Sequence, residues 1–178
     1  MTIIDRRFPI GKFEFPEAVT QAHREQWLRE IEETPLRMRE AVHGLVEQEL
    51  ATPYREGGWT ARQVVHHLVD SHINSYVRFR LALTEDSPVI KPYLEDRWAE
   101  LPDARSAPVE LSLSMLETLH ARWMLLLRSL TPEDWARSFR HPERGLMTLE
   151  KNLALYAWHG KHHVAHVMLV RRETAAAG

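Results

Sequence analysis

The chain of 178 residues contains no cysteine, and this absence excludes several kinds of chemistry at once. Without cysteine the protein has no disulfides, no thiolate-bound metals or iron–sulfur clusters, and no cysteine nucleophile. Glycine is also scarce, with seven residues, of which two adjoin each other at Gly57 and Gly58. So few glycines cannot form a glycine-rich phosphate loop or a dinucleotide-binding fingerprint.

The chain also lacks long apolar runs and an excess of one charge, and both absences bear on its partners. No apolar run is long enough to cross a bilayer, and the N-terminus becomes charged at Asp5 before a secretory signal region can form. A net charge of −2 at pH 7 provides no electrostatic footprint for nucleic acid or anionic membranes. These features are compatible with a cytoplasmic protein, and we expect one domain over residues 1–178 without nucleic-acid or membrane partners.

Helical periodicity extends over almost the whole chain. After an extended segment over residues 1–15, a helical region is predicted over residues 16–50. Thr34-Pro35 is expected to divide this region into two helices, because threonine is a good N-cap and proline is tolerated at the first helical position.

Three further long helices are predicted, over residues 60–83, 108–130 and 148–172. The first has the clearest start, since Thr60 can cap it and Gln63 completes a capping box. A long connection over residues 86–106 precedes the second, and residues 173–178 form a small-residue tail. Counting the divided region once, these four helical regions with one long crossover connection predict an all-α four-helix bundle.

Histidine is the abundant functional residue, with 11 copies. Four of them share an inward-facing arc of about 100° on an ideal wheel of the last helix: His159, His162, His163 and His166. On the helix after Thr60, His67 lies on a polar strip bordered by apolar residues, whereas His72 points about 140° away. Buried imidazoles in this number favour metal binding over histidines that merely satisfy hydrogen bonds in a core.

Three histidines are enough for a catalytic metal site, which keeps one position open for water. His67 together with one i, i+4 pair of the last helix provides this number, because neutral imidazole is a common metal ligand. Periodicity alone does not choose between the pair His159/His163 and the pair His162/His166. A fourth protein ligand, His162 or His166, would instead favour a noncatalytic site.

The polar strip around His67 contains the other candidate site residues. Asp70 is a candidate to orient a ligand imidazole or to act as a base, and Asn74 and Arg78 are candidates to contact a substrate carboxylate. The competing interpretation is that Asp70 is a surface or capping carboxylate and that Arg78 forms an exposed ion pair. The chain contains no HExxH sequence, which excludes a glutamate base of the metalloprotease type.

Two segments resemble the motifs of the DinB superfamily. Residues 58–68 resemble the first motif, in which a tryptophan and a capping serine or threonine precede a His-Leu pair, here His67 and Leu68. Residues 158–166 resemble the second motif, His-x3-His followed by glutamine or histidine. The resemblance implies that His67, His159 and His163 are the metal ligands. It also implies a four-helix bundle that forms a cytoplasmic homodimer.

The likeness is closest to the YfiT-like branch of that superfamily, whose members are described as metal-dependent hydrolases. It implies one divalent ion per chain, with zinc first and nickel second, and a small-molecule substrate. Some relatives resemble thiol S-transferases that use a low-molecular-weight thiol such as bacillithiol. In this chain such a thiol would have to be a cosubstrate, because cysteine is absent. The same sequence would also suit a noncatalytic metal-binding bundle or, last in order, a metal-free partner-binding module.

Overall fold

The structure is a computed structural model that describes residues 5–177, with side chains described for residues 5–172. Four long helices are present: α1 (Gln21–Val42), α3 (Ala61–Thr84), α6 (Val109–Arg128) and α8 (Leu149–Ala177). Four short helices lie in the connections: α2 (Glu47–Leu50), α4 (Glu95–Ala99), α5 (Pro102–Ser106) and α7 (Pro132–Ala136). A hairpin of β1 (Ser138–His141) and β2 (Gly145–Thr148) precedes α8. The predicted four-helix bundle is confirmed.

The order of the four long helices in the bundle is set by one crossover. α3 and α6 are neighbours that run parallel, since His66 contacts Ser112 near their starts and Phe79 contacts Trp123 further along. Parallel neighbours need a long return connection, and the segment with α4 and α5 supplies it. α1 contacts α6 and α8 but is diagonal to α3, and α8 lies between α1 and α3. Among residues 5–177, none of the helices combines the length and hydropathy that a bilayer crossing needs.

The predicted start signal of α3 is present in the structure. The Thr60 hydroxyl accepts a hydrogen bond from the Gln63 backbone N–H, and the Gln63 side chain accepts one from the Thr60 backbone N–H. This capping box satisfies two N–H groups that would otherwise lack partners at the helix end. This cap fixes the residue at which α3 begins. It therefore also fixes the position of His67, which lies two turns further along the helix.

The predicted helix break at Thr34-Pro35 is wrong, because α1 continues through both residues. The Thr34 hydroxyl does not cap a new helix but donates to the Glu30 carbonyl at 2.7 Å within the same helix. Pro35 has no N–H, so the Ile31 carbonyl lacks its partner one turn later. The ring of His120 on α6 contacts that carbonyl at 2.7 Å. A tertiary contact thus satisfies the group that the proline leaves free.

Other element boundaries also differ from the prediction. The first helical region begins at Gln21, capped by Thr20, and α8 extends to Ala177 instead of ending at residue 172. The β1–β2 hairpin was not predicted, since each strand has only four residues. The described part of the N-terminal segment, residues 5–15, contains neither helix nor strand and packs against α8. Residues 1–4 and 178 lie outside the described residues.

Two apolar cores are separated by a polar layer in the middle of the bundle. One core contains Met38, Leu68, Leu116 and Val167, and the other contains Ile31, Phe79, Trp123 and Leu153. Between these positions the inward residues are polar on each long helix: Thr34, His72, His120, and the histidines of α8. The bundle therefore buries a layer of imidazoles across its width.

Candidate metal centre

Three histidines from two helices converge at one side of the polar layer. His67 of α3 and His159 and His163 of α8 each offer a ring nitrogen, and the three nitrogens lie within 4.8 Å of one another. The Nε2 atoms of His159 and His163 are 3.1 Å apart. In a tetrahedral zinc site with Zn–N distances of about 2.0–2.1 Å, ligand nitrogens are about 3.3 Å apart. The spacing fits a bound ion.

The two α8 histidines of this group, His159 and His163, direct their second ring nitrogen, Nδ1, away from this point of convergence. Nδ1 of His159 lies 3.3 Å from Nε2 of His72, and Nδ1 of His163 lies 3.3 Å from Nδ1 of His166. Metal-binding histidines usually use one nitrogen for the metal and the other for a hydrogen bond that orients the ring. The α8 pair has this arrangement.

Burial keeps these imidazoles neutral. It lowers the pKa of His67 to about 4 and the pKa values of His159 and His163 well below their usual range, with neighbouring histidines adding to the effect. No carboxylate joins the histidine group among residues whose side chains are described. A neutral imidazole is the form that binds a metal, so the site needs little proton release on loading.

A second group of three nitrogens, those of His162, His163 and His166, also lies within 4.8 Å. It shares His163 with the first group, but all its members are on α8. His166 faces Nδ1 of His163, the nitrogen that points away from His159, and stacks on Tyr54 at 3.9 Å. His162 stacks on Trp158 at 4.4 Å. Only the first group joins two helices.

The converging histidines line a cavity of about 690 Å³, here called the histidine cavity. Its wall combines the N-terminal segment, the loop before α3, the inner face of α8 and the tip of the hairpin. Five cationic residues line it: Arg7, Lys12, Arg55, Arg78 and Arg144. Three acidic residues also line it: Glu95, Asp96 and Glu143. Such a volume is typical of small-molecule sites.

The structure separates the three polar candidates of α3. Arg78 lines the histidine cavity, whereas Asp70 and Asn74 are not among its lining residues. Asn74 donates to the Asp70 backbone carbonyl at 2.8 Å and lines a neighbouring cavity of about 510 Å³, which Arg78 also borders. Burial, reinforced by Asp103, raises the pKa of the Asp70 carboxyl to about 6.

Two tyrosines that the sequence analysis did not select line the cavity next to the histidines. The Tyr156 hydroxyl accepts from Ser71 at 3.3 Å and from Arg78 at 3.4 Å. The buried Tyr93 hydroxyl forms no hydrogen bond of ordinary geometry with the described residues. Tyr156 could have been found from its position three residues before His159, on the same helix face. No local signal marks Tyr93, which lies in the long connection.

The remaining histidines of α3 face other neighbours. His66 lies between the Ser112 hydroxyl and the Ala107 carbonyl, at 2.7 and 3.1 Å, and therefore ties α3 to α6. His72 was predicted not to share a face with His67, yet it contacts His159. His120 of α6, which was not among the predicted site residues, contacts His72 at 2.8 Å.

The fold and the histidine group together define a helical bundle with a candidate metal centre, and comparison with known proteins gives the family. The model of the DinB superfamily matches residues 30–167. The chain belongs to the DinB superfamily.

Individual relatives cover nearly the whole chain. A Bacillus cereus (strain 03BB102) protein named "putative metal-dependent hydrolase" is 53% identical over 168 residues, which is 94% of this chain and 96% of the relative. A Bacillus thuringiensis subsp. konkukian relative of the same name shows the same identity and coverage. The structure of Bacillus subtilis YfiT, described as "a probable metal-dependent hydrolase with an unusual four-helix bundle topology", matches with a TM-score of 0.93. It is 44% identical and covers 97% of this chain and 99% of that chain.

Proposed function

We propose that the protein is a metal-dependent enzyme of the hydrolase type, in which His67, His159 and His163 hold one divalent ion. The observation that carries this proposal is the approach of two Nε2 atoms to 3.1 Å, with His67 adjacent, on the wall of an accessible cavity. The names of the relatives point in the same direction.

Zinc is the first candidate for the ion and nickel the second, since imidazole donors suit both. Three protein ligands leave a coordination position open, as in catalytic zinc sites. When bound, such an ion lowers the pKa of a water molecule or thiol that it binds, and so supplies a nucleophile near neutral pH.

The chain's own residues would bind and orient a small polar substrate. Arg78 is held beside the histidines by its hydrogen bond to Tyr156, and guanidinium groups bind carboxylates with two parallel hydrogen bonds. Arg144 lines the same cavity from the hairpin tip. The excess of cationic over acidic residues in the wall favours an anionic substrate group.

Asp70 and Asn74 remain proposed site residues with roles that differ from that of Arg78. Asp70 is proposed as a base, because its raised pKa of about 6 is suited to proton transfer near neutral pH. It would have to act across the wall of the histidine cavity, which it does not line. Asn74 would bind substrate only if the substrate extends into the neighbouring cavity.

The same site would also suit transfer of a low-molecular-weight thiol of the bacillithiol type. The cavity of about 690 Å³ supports this second reaction, because it has room for a small thiol and an electrophile together. The two reactions differ in whether turnover requires an added thiol. A homodimeric assembly and a cytoplasmic location accompany both, by resemblance to the family.

Metal content is the first test. The protein is purified without a metal-affinity step, dialysed against zinc or nickel, and analysed for metal per chain. We expect about one equivalent of metal per chain in the wild type and in the control variant His43→Ala. His43 is exposed and lies far in the sequence from the three proposed ligands. His67→Ala and His163→Ala should lose the ion, because two remaining imidazoles bind weakly. A wild type that takes up neither metal would exclude the proposal.

Turnover is the second test. Esters, amides and electrophiles with an anionic group are screened against the zinc-loaded protein, with and without added thiol. Hydrolysis without thiol supports the first reaction, and thiol-dependent loss of the electrophile supports the second. Metal binding without any turnover across the screen would favour a noncatalytic metal-binding bundle.

A further inference from the structure

The proline inside α1 frees a backbone acceptor at the centre of the bundle. In a regular α-helix the Ile31 carbonyl would accept from the N–H of residue 35, but Pro35 has none. Nδ1 of His120 lies 2.7 Å from this carbonyl oxygen. A carbonyl can only accept, so the Nδ1–H of His120 donates.

The direction of this first hydrogen bond sets the direction of the next two. A neutral imidazole carries one N–H, so Nε2 of His120 must accept. The atom 2.8 Å from it is Nδ1 of His72, which therefore donates. Nε2 of His72 then accepts from Nδ1–H of His159, 3.3 Å away. Nε2 of His159 is left without a proton, and it is the nitrogen 3.1 Å from Nε2 of His163.

The surroundings keep this chain of rings neutral and rigid. His72 and His120 are 0% and 2% exposed, and their rings are nearly parallel, at 14°, with ring centroids 4.9 Å apart. Trp123 packs edge-on against both rings. Burial lowers the pKa of His120 to about 4, and no acidic side chain contributes to the pKa shift of His72.

We propose that His120 and His72 are positioning residues. They link the Ile31 carbonyl to His159 through a series of hydrogen bonds in which each ring donates from Nδ1 and accepts at Nε2. They hold His159 in its Nδ1–H form and point its unprotonated Nε2 into the metal centre. Partners of this kind fix the tautomer and orientation of metal-binding histidines. The effect on metal binding rests on the proposed function, whereas the tautomers are a property of the metal-free protein.

The tautomers can be read directly. Long-range ¹H–¹⁵N spectra of the metal-free, histidine-labelled wild type distinguish Nδ1–H from Nε2–H rings, and loss of signals in His72→Leu, His120→Leu and His159→Leu assigns the three rings. We expect His72, His120 and His159 all in the Nδ1–H form. An Nε2–H form at any one of the three would overturn the proposal, whether or not the protein binds metal.

Metal affinity tests the positioning role. His72→Leu keeps the volume but removes the acceptor for His159, whereas His72→Gln offers a side-chain oxygen near the former Nε2 position. We expect His72→Leu to weaken zinc binding about 10- to 100-fold, the range for such partners, and His72→Gln to recover most of the loss. Folding of each variant is checked by circular dichroism and thermal unfolding.

Two results would contradict the positioning role. Wild-type affinity in a folded His72→Leu would show that the ring only fills space, and so would equal losses in the leucine and glutamine variants. If the wild type binds no metal, the proposed function fails. The spectra of the metal-free protein then still decide whether the directed chain of hydrogen bonds exists.

Discussion

In both α8 histidines of the candidate metal centre, the two ring nitrogens face different surroundings. His159 and His163 bring their Nε2 atoms together, and each directs Nδ1 to another histidine, His72 or His166. The helix wheel places all the α8 histidines on one face but does not distinguish a ligand from a residue that orients a ligand. The contact of His166 with Nδ1 of His163 supports the proposal that His166 orients a ligand and does not bind the ion itself.

A variant of His166 tests this assignment. Because His166 faces the outer nitrogen of His163, His166→Ala should still bind about one equivalent of zinc at saturation, with affinity about 10-fold weaker. Calorimetric titration gives both numbers, and His43→Ala serves as the exposed control. Complete loss of the ion in His166→Ala, with retention in His67→Ala, would show that the group on α8 is the true ligand set.

At the scale of helices, the close approach of α1 and α8 positions the candidate centre. Gly160 follows His159, and a Cβ placed on it would lie 2.5 Å from the Thr34 hydroxyl oxygen and 2.9 Å from its methyl group. The absence of a side chain lets the two helices touch at the histidine layer. Thr34 is itself held by its hydrogen bond to Glu30, so it cannot turn away without losing that bond.

Gly160→Ala should therefore destabilise the protein by about 1–3 kcal/mol, the usual cost of overpacking, even though alanine is the better helix former. The measurement is urea unfolding of the metal-free protein. Thr34→Ala removes the hydroxyl and methyl groups that the new Cβ would meet. The double variant Thr34→Ala/Gly160→Ala should therefore recover much of the lost free energy of unfolding. A single variant that is as stable as the wild type would mean that α1 and α8 separate easily at this point.

At the scale of the whole molecule, the bundle keeps many imidazoles uncharged. Burial is the largest cause of a lowered pKa at nine histidines: His66, His67, His72, His120, His141, His159, His162, His163 and His166. In the unfolded chain these side chains would titrate near pH 6.5. At mildly acidic pH the folded protein therefore binds fewer protons than the unfolded chain does.

This difference predicts acid sensitivity. When folding lowers the pKa of a histidine, the free energy of unfolding has its full value above the unfolded-state pKa of about 6.5. It decreases as the pH falls toward the folded-state pKa, because the unfolded chain then binds a proton that the folded protein does not. For His120 that window runs from about pH 6.5 down to about 4. The urea midpoint of the metal-free protein should fall steeply from pH 7.5 to pH 5.

His120→Gln provides the matched variant for this prediction, since it removes one titrating group and keeps a polar side chain. We expect its stability to change less between the two pH values, although it is less stable than the wild type at pH 7.5. A wild-type midpoint that does not change over this range would contradict neutral burial of the histidine layer.

Much of the bundle was predictable because its signals are local. The capping box at Thr60 and Gln63 and the apolar periodicity of the long helices follow from neighbouring residues alone. The inward histidine stripe of α8 is likewise a property of one helix. The interpretation of Thr34-Pro35 as a break failed for the opposite reason, because the continuity of α1 involves a contact with His120 of another helix.

The sequence by itself determined the helices, the inward direction of the histidines and, through its motifs, the family. Only the tertiary structure decided which rings meet. Periodicity describes one helix at a time, whereas His120, His72 and His159 come from three helices and touch because α6, α3 and α8 pack around a shared polar layer. The direction of their hydrogen bonds depends on a carbonyl that a proline four residues later leaves free, and only the packed bundle brings an imidazole to it.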